Sequence, residues 1–136
     1  MAITNRHLNS TIFTTIRALL IAQDGNYTSS TQPLITASYP DSYDFTNPVI
    51  VISNAATGES DFTFDRSSSN KNVVVLIDIF VNKNKDRDML GDDVRFFLKS
   101  KIDGITLINI EEINNTDIVN NQKVRNKAMT FTYVRR

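Results

Sequence analysis

The chain has no cysteine and no tryptophan, and only one histidine, four glycines and three prolines among its 136 residues. Without thiols there is no disulfide staple, no thiolate zinc or iron–sulfur site and no cysteine nucleophile. The single imidazole, His7, cannot furnish a two-histidine metal site, and a serine–histidine dyad would have to be built around an N-terminal residue. His7 reads as an exposed or helix-end side chain. The glycines are scattered, so no glycine-rich loop cradles a phosphate. Long apolar runs are missing too: the longest, Val73 to Ile77, falls far short of the ~20 residues that a membrane-spanning helix needs. With no charged-then-apolar leader either, a soluble protein is expected, and the Asn-x-Ser/Thr triplets at Asn9, Asn26 and Asn114 reflect an asparagine-rich composition rather than glycan sites.

What is present suffices for one domain over 1–136. At this length roughly two-thirds of the unfolded surface is buried on folding, and 40% hydrophobic residues can fill that core. Fifteen basic side chains balance fifteen acidic ones, but unevenly. Residues 1–68 hold three basic and six acidic side chains, residues 69–136 twelve and nine. From residue 123 onward Lys123, Arg125, Lys127, Arg135 and Arg136 have no acidic neighbour in the sequence. Such a stretch suits an acidic partner surface or a phosphate backbone, or else it supplies gatekeeping charges beside an apolar strand.

Periodicity orders the chain. From Thr4 to Gln23 the residues Leu8, Ile12, Ile16, Leu19 and Leu20 recur near every fourth position, the stripe of an amphipathic helix, and Asp24-Gly25-Asn26 supplies its stop. Between Asn26 and Pro48 all three prolines, several Ser and Thr, and the aromatics Tyr39, Tyr43 and Phe45 follow no sustained period. This is read as a sticky arm that either binds a partner or folds back on its own core. Pro48 to Ile52 reads as a strand, Thr57-Gly58 as a hairpin turn, and Ser60 to Asp65 as a half-buried strand that alternates polar and aromatic residues. The polar run Arg66 to Lys71 then leaves the sheet.

Val73 to Val81 is the strongest strand signal. Val73, Val75, Ile77, Ile79 and Val81 share one face, and Val74, Leu76, Asp78 and Phe80 the other, so both faces call for a cover. Asn84 to Lys99 reads as a second helix with Leu90, Val94, Phe97 and Leu98 on its stripe, closed by Asp103-Gly104. Asp86, Asp88, Asp92 and Asp93 crowd its start, where the helix dipole favours negative charge. Ile105 to Ile110 reads as a strand closed by Glu111-Glu112, Ile113 to Gln122 as an asparagine-rich turn region, and Ala128 to Val134 as a terminal strand.

Chemistry is sparse. Asp78 with the helix-start aspartates is the material for a metal-dependent nuclease, but no Glu-x-Lys element follows, since Glu111-Glu112 leads into Ile113-Asn114. Asp86-x-Asp88 lacks the glycine and glutamate spacing of a calcium loop. The interleaving of Lys127, Phe131, Tyr133 and Arg135 suits a small nucleic-acid-binding protein, yet alternating strands of any function show it. No cofactor is expected, and Asp78 is read as a hydrogen-bonded or ion-paired carboxylate rather than a catalyst.

The order of elements resembles small tail-terminator or tail-completion proteins of long-tailed bacteriophages. The passages that carry the likeness are Leu8 to Leu20, Tyr39-Pro40 leading into Pro48 to Ile52, Val73 to Val81 running into the Asp86-to-Leu98 helix, and the closing Met129 to Val134. The resemblance implies an α+β fold: a mostly antiparallel sheet of about five strands with two helices packed on one face, and a long arm at 26–48. It also implies a non-enzymatic virion protein that forms a ring, of six subunits in this family, at the head-proximal end of the tail tube. There it would end tube polymerisation and join a head-completion protein, with DNA passing through the channel without sequence-specific binding, after assembly in the host cytoplasm. Within that frame the expected subunit interface is Val74, Leu76, Asp78 and Phe80 together with Tyr39, Pro40, Tyr43 and Phe45. The basic residues Lys123, Arg125, Lys127, Arg135 and Arg136 are expected to face a protein neighbour.

Overall fold

The computed structural model describes residues 8–28, 32–37, 47–60, 70–99, 102, 105–119 and 121–135. In chain order these form α1 (Leu8–Ala22), β1 (Leu34–Thr36), β2 (Val49–Ser60), β3 (Asn70–Val81), α2 (Asn84–Leu98), β4 (Thr106–Val119) and β5 (Gln122–Arg135). The strands make one five-stranded sheet in the order β1-β2-β3-β5-β4. β1 runs parallel to β2, and every other pair is antiparallel. The α+β architecture expected from the element order is the one found.

Both helices lie on the face of β3 that carries its odd-numbered residues. The four-residue spacing of Ile12, Ile16 and Leu20 puts all three on one side of α1, and each is fully buried. From α2 the buried residues are Leu90, Gly91, Val94, Phe97 and Leu98. Beneath them sit Val75, Ile77 and Ile79 of β3, Ile50 and Ile52 of β2, and Met129, Phe131 and Tyr133 of β5, in one continuous core. Fully burying an aliphatic side chain of this size contributes about 1.5–3 kcal/mol, so this layer dominates the stability of the domain. α1 ends as its sequence dictates: Gly25 adopts φ +87°, a left-handed conformation open to glycine, while Asn26 N–H donates to the Gln23 carbonyl at 2.8 Å.

The stretch after α1 is partly folded back on the core. Tyr27 is buried, its hydroxyl donates to the Leu20 carbonyl at 2.6 Å, and its ring meets Phe97 edge-on at 5.1 Å. Thr28 donates from its backbone N–H and its hydroxyl to the two carboxylate oxygens of Asp93, at 2.8 and 2.7 Å. β1 then adds to the edge of β2 with Ile35 buried. Tyr39, Pro40, Tyr43 and Phe45 lie outside the described residues.

Two expectations about turns need correction. Thr57-Gly58 is not a hairpin turn: Thr57 pairs with Val73 and Gly58 with Asn72, and the ladder continues to Ser60 opposite Asn70, with a bulge between Asn54 and Ala56. Nor is Ile113 to Gln122 a turn region. β4 stays paired with β5 as far as Val119 opposite Gln122, and only two residues connect them, with Asn121 at φ 62°. Asparagine tolerates that left-handed backbone, which suits the tight two-residue hairpin. Between Asp61 and Asp65 the expected strand lies outside the described residues.

Candidate assembly surfaces

The two faces of β3 have different fates. On the helix side Val73, Val75, Ile77, Ile79 and Val81 are all at most 2% exposed. On the opposite, open side Val74, Leu76 and Asp78 are only half-buried. Among the described residues no helix covers this side. The cross-strand register assembles it row by row. Ser53, Leu76, Thr130 and Glu111 form one row, and Val51, Asp78, Ala128 and Ile113 the next. Val49, Phe80, Asn126 and Asn115 form a third.

Phe80 departs from the expectation that it lies open to a neighbouring subunit. It is 2% exposed and, with Val49, Val51 and Val124, makes a small second core on the open side. The part of the face that stays accessible therefore includes Val74, Leu76, Asp78 and, from β4, Ile113, which is 63% exposed. Asp78 lies in the middle of this patch. Burial raises its pKa above the ordinary carboxylate value, and a hydrogen bond from Asn126 works in the other direction. Asn126 is itself buried; its amide donates to the Ile79 carbonyl at 3.2 Å and its carbonyl oxygen accepts from Asn115 at 3.4 Å.

The helix-start aspartates are placed away from Asp78, because α2 packs on the opposite side of the sheet. Asp93 anchors Thr28, and Asp88 lies 3.4 Å from Arg87 and 3.7 Å from Lys127. Among the described residues no cluster of three or more His, Asp or Glu side chains is positioned to hold a metal ion.

The basic residues of β5 are scattered. Lys127 is corrected from partner-binding to structural: it is 5% exposed, and its ammonium lies 3.7 Å from both Asp88 and Glu112. Glu112 also pairs with Arg95 of α2. Lys123 is exposed, and Arg125 donates to the Thr116 hydroxyl at 3.0 Å. Since β3 ends opposite Arg125, the β4–β5 hairpin continues beyond it, carrying Lys123 and the 79% exposed Ile118. Arg135 closes β5; its side chain and all of Arg136 lie outside the described residues.

Two features escaped the sequence reading. One is the length of β4, an edge strand with Ile108, Ile113 and Ile118 all more than half exposed. Among the described residues no strand pairs with its outer edge, and an edge of this kind presents backbone N–H and C=O groups that pair readily with another chain. The other is a groove of about 800 Å³ between the C-terminal end of α2 and the start of β4, lined by Arg95, Lys99, Ile102, Leu107, Ile110 and Tyr133 among others. Tyr133 is 1% exposed, burial pushes its phenol well above the ordinary value, and its hydroxyl has no hydrogen-bond partner among the described residues. No sequence signal foretells the groove, since its walls come from three separate elements.

Comparison with solved structures finds this fold in a chain from the virion of a native gene transfer agent particle. The two superpose with a TM-score of 0.55 at 9% sequence identity, over 96% of this chain and 99% of that one. At that identity the likeness establishes a shared fold. No protein-family model matches the sequence, and no curated protein does.

Proposed function

We propose that the chain is a non-enzymatic structural component of a phage-like virion, which assembles with copies of itself into a ring at the head-proximal end of a tail tube. There it ends tube growth and receives the head-completion protein, and DNA passes through the ring without base-specific contacts. The observation that carries this reading is the end-to-end match to a virion chain, with both proteins covered almost completely. A match of that extent concerns the whole architecture rather than a shared substructure.

The surfaces support the same reading. A sheet with one covered side, one half-buried side and a long exposed edge is built to be completed by neighbours. The proposed subunit contacts are Val74, Leu76 and Asp78 with Ile113 beside them. The arm residues Tyr39, Pro40, Tyr43 and Phe45 belong to the same proposal on sequence grounds. Lys123, Arg125, Arg135 and Arg136 are proposed to meet a protein neighbour, the tube or the head-completion protein.

Sedimentation of the purified full-length chain tests this reading. Wild type is expected to self-associate as concentration rises, and Leu76→Asp, checked for a native circular dichroism spectrum, to associate at least tenfold more weakly. A wild-type chain that stays monomeric at all concentrations and does not assemble on tail tubes contradicts the proposal; the tube arm is included because association can be linked to it.

A further inference from the structure

The two sides of the sheet differ in charge as well as in cover, because strand alternation and the register sort the charged residues between them. Among the described residues the open side carries two carboxylates, Asp78 and Glu111, and no lysine or arginine. Neither has a cationic partner there; Glu111 is exposed and accepts from the Asn109 amide at 3.3 Å. Lys123 and Arg125 alternate with Val124 and Asn126, so they stand on the other side, where the β4–β5 hairpin runs on past the end of β3. The helices leave this part of the hairpin uncovered: Thr116, Ile118 and Lys123 are all exposed. Among the described residues Lys123 makes no ion pair, and Arg125, beyond its bond to Thr116, keeps a buried Nε without a partner.

We propose that this face of the hairpin, made by Ile118, Lys123 and Arg125, packs on the open side of a second copy, its cations meeting Asp78 and Glu111 and its isoleucine meeting Leu76 and Ile113. The proposal rests on the self-assembly reading above and assigns Lys123 and Arg125 to a neighbouring copy. Charge decides the occupant. A partner that covers Leu76 and Ile113 also dehydrates Asp78, and a carboxylate taken out of water unpaired costs more than the apolar contact beside it returns. The hairpin brings a cation and an apolar side chain together, since Ile118 is the cross-strand partner of Lys123. The spacing agrees. Asp78 and Glu111 lie two strands and one row apart, about 12 Å, and Lys123 and Arg125 stand about 7 Å apart on long flexible stems that can splay to meet them. One copy cannot make this contact with itself, because the two patches lie on opposite sides of one sheet. For the same reason a single rigid neighbour cannot occupy both patches at once. The contact is therefore heterologous, the type that closes into a ring when repeated around an axis.

Because the chain has no cysteine, cross-linking is clean. Full-length Ile118→Cys and full-length Ile113→Cys, both at exposed positions and each checked for a native circular dichroism spectrum, are mixed and oxidised with and without tail tubes. The expected product is a disulfide-linked heterodimer, about tenfold above either homodimer and above the product of Ile118→Cys with Phe96→Cys, a 74% exposed control on α2. Adding Lys123→Glu and Arg125→Glu to the Ile118→Cys copy is expected to lower it about tenfold. Lys123→Glu alone, at an exposed position where the fold is indifferent, is expected to lower it about threefold. Glu111→Lys in the Ile113→Cys copy is expected to weaken binding of the unaltered hairpin and to strengthen that of the reversed one. Heterodimer at the control level overturns the proposal, as does indifference to charge reversal. So does binding of the wild-type chain to DNA that is lost with the reversed hairpin while no heterodimer forms, which gives these cations to phosphate. Sedimentation of the same samples separates the two ideas: self-association without this cross-link rejects the contact and leaves the assembly reading standing, whereas absence of self-association, free and on tubes, rejects both.

Discussion

Asp78 shows how a single residue separates folding from assembly. It was legible in the sequence as a carboxylate on an otherwise apolar strand face, and the structure puts it half-buried among Val51, Ala128 and the Asn126 amide. Burial raises its pKa, so the folded chain holds its proton more tightly than the unfolded chain does. The sign follows: the folded state is relatively favoured while Asp78 is protonated, and stability is lost as pH rises from the ordinary value near 3.8 through the raised one. Asp78→Asn is therefore expected to raise the unfolding temperature at neutral pH, with the gain vanishing below about pH 4; calorimetry at both pH values checks this. Lys127 shows the limit of residue-level reading. Its place in a basic stretch suggested an outward role, but strand alternation puts it on the helix side, where Glu112 and Asp88 receive it.

At the scale of elements, α2 and β3 were readable because their apolar residues recur with periods of about 3.6 and 2, and the single glycine of α2, Gly91, leaves the stripe of Leu90, Val94, Phe97 and Leu98 intact. β4 was not readable. Ile113 and Ile118 are separated by Asn114, Asn115, Thr116 and Asp117, which look like turn residues, and what holds them in a strand is the register imposed by β5 through the short hairpin. The Thr57-Gly58 expectation failed for a related reason: pairing with β3 carried the strand past a local turn signal. α2 offers the sharpest packing test. A Cβ on Gly91 would lie 2.6 Å from Lys127 Cδ and 3.0 Å from its Cε, so the absence of a side chain lets the lysine stem cross the helix. Intrinsic propensity favours alanine over glycine by roughly 1 kcal/mol. The atoms met are the far end of a flexible side chain, so Lys127 can shift, and Gly91→Ala is expected to gain less than the full propensity difference. In a Lys127→Ala background the same substitution is expected to gain the full ~1 kcal/mol, and denaturant melts of the four-member cycle read the difference.

For the whole molecule, the class of fold was what the resemblance to tail-terminator proteins implied, and the presence of two apolar faces on β3 pointed to covers on both sides. The structure supplies one cover, two helices over the odd-numbered face, and a small cluster around Phe80 on the other. What remained hidden was how the edges meet the outside, because strand order and parallel pairing of β1 are set by tertiary contacts that no local pattern encodes. The proposed ring accounts for the half-buried patch and the projecting β4–β5 hairpin with one arrangement of copies. Electron microscopy of tail tubes incubated with the purified chain tests that claim most directly. The account predicts one closed ring at the head-proximal tube end, lost with Leu76→Asp; bare tube ends, or single copies scattered along the tube wall, would contradict it.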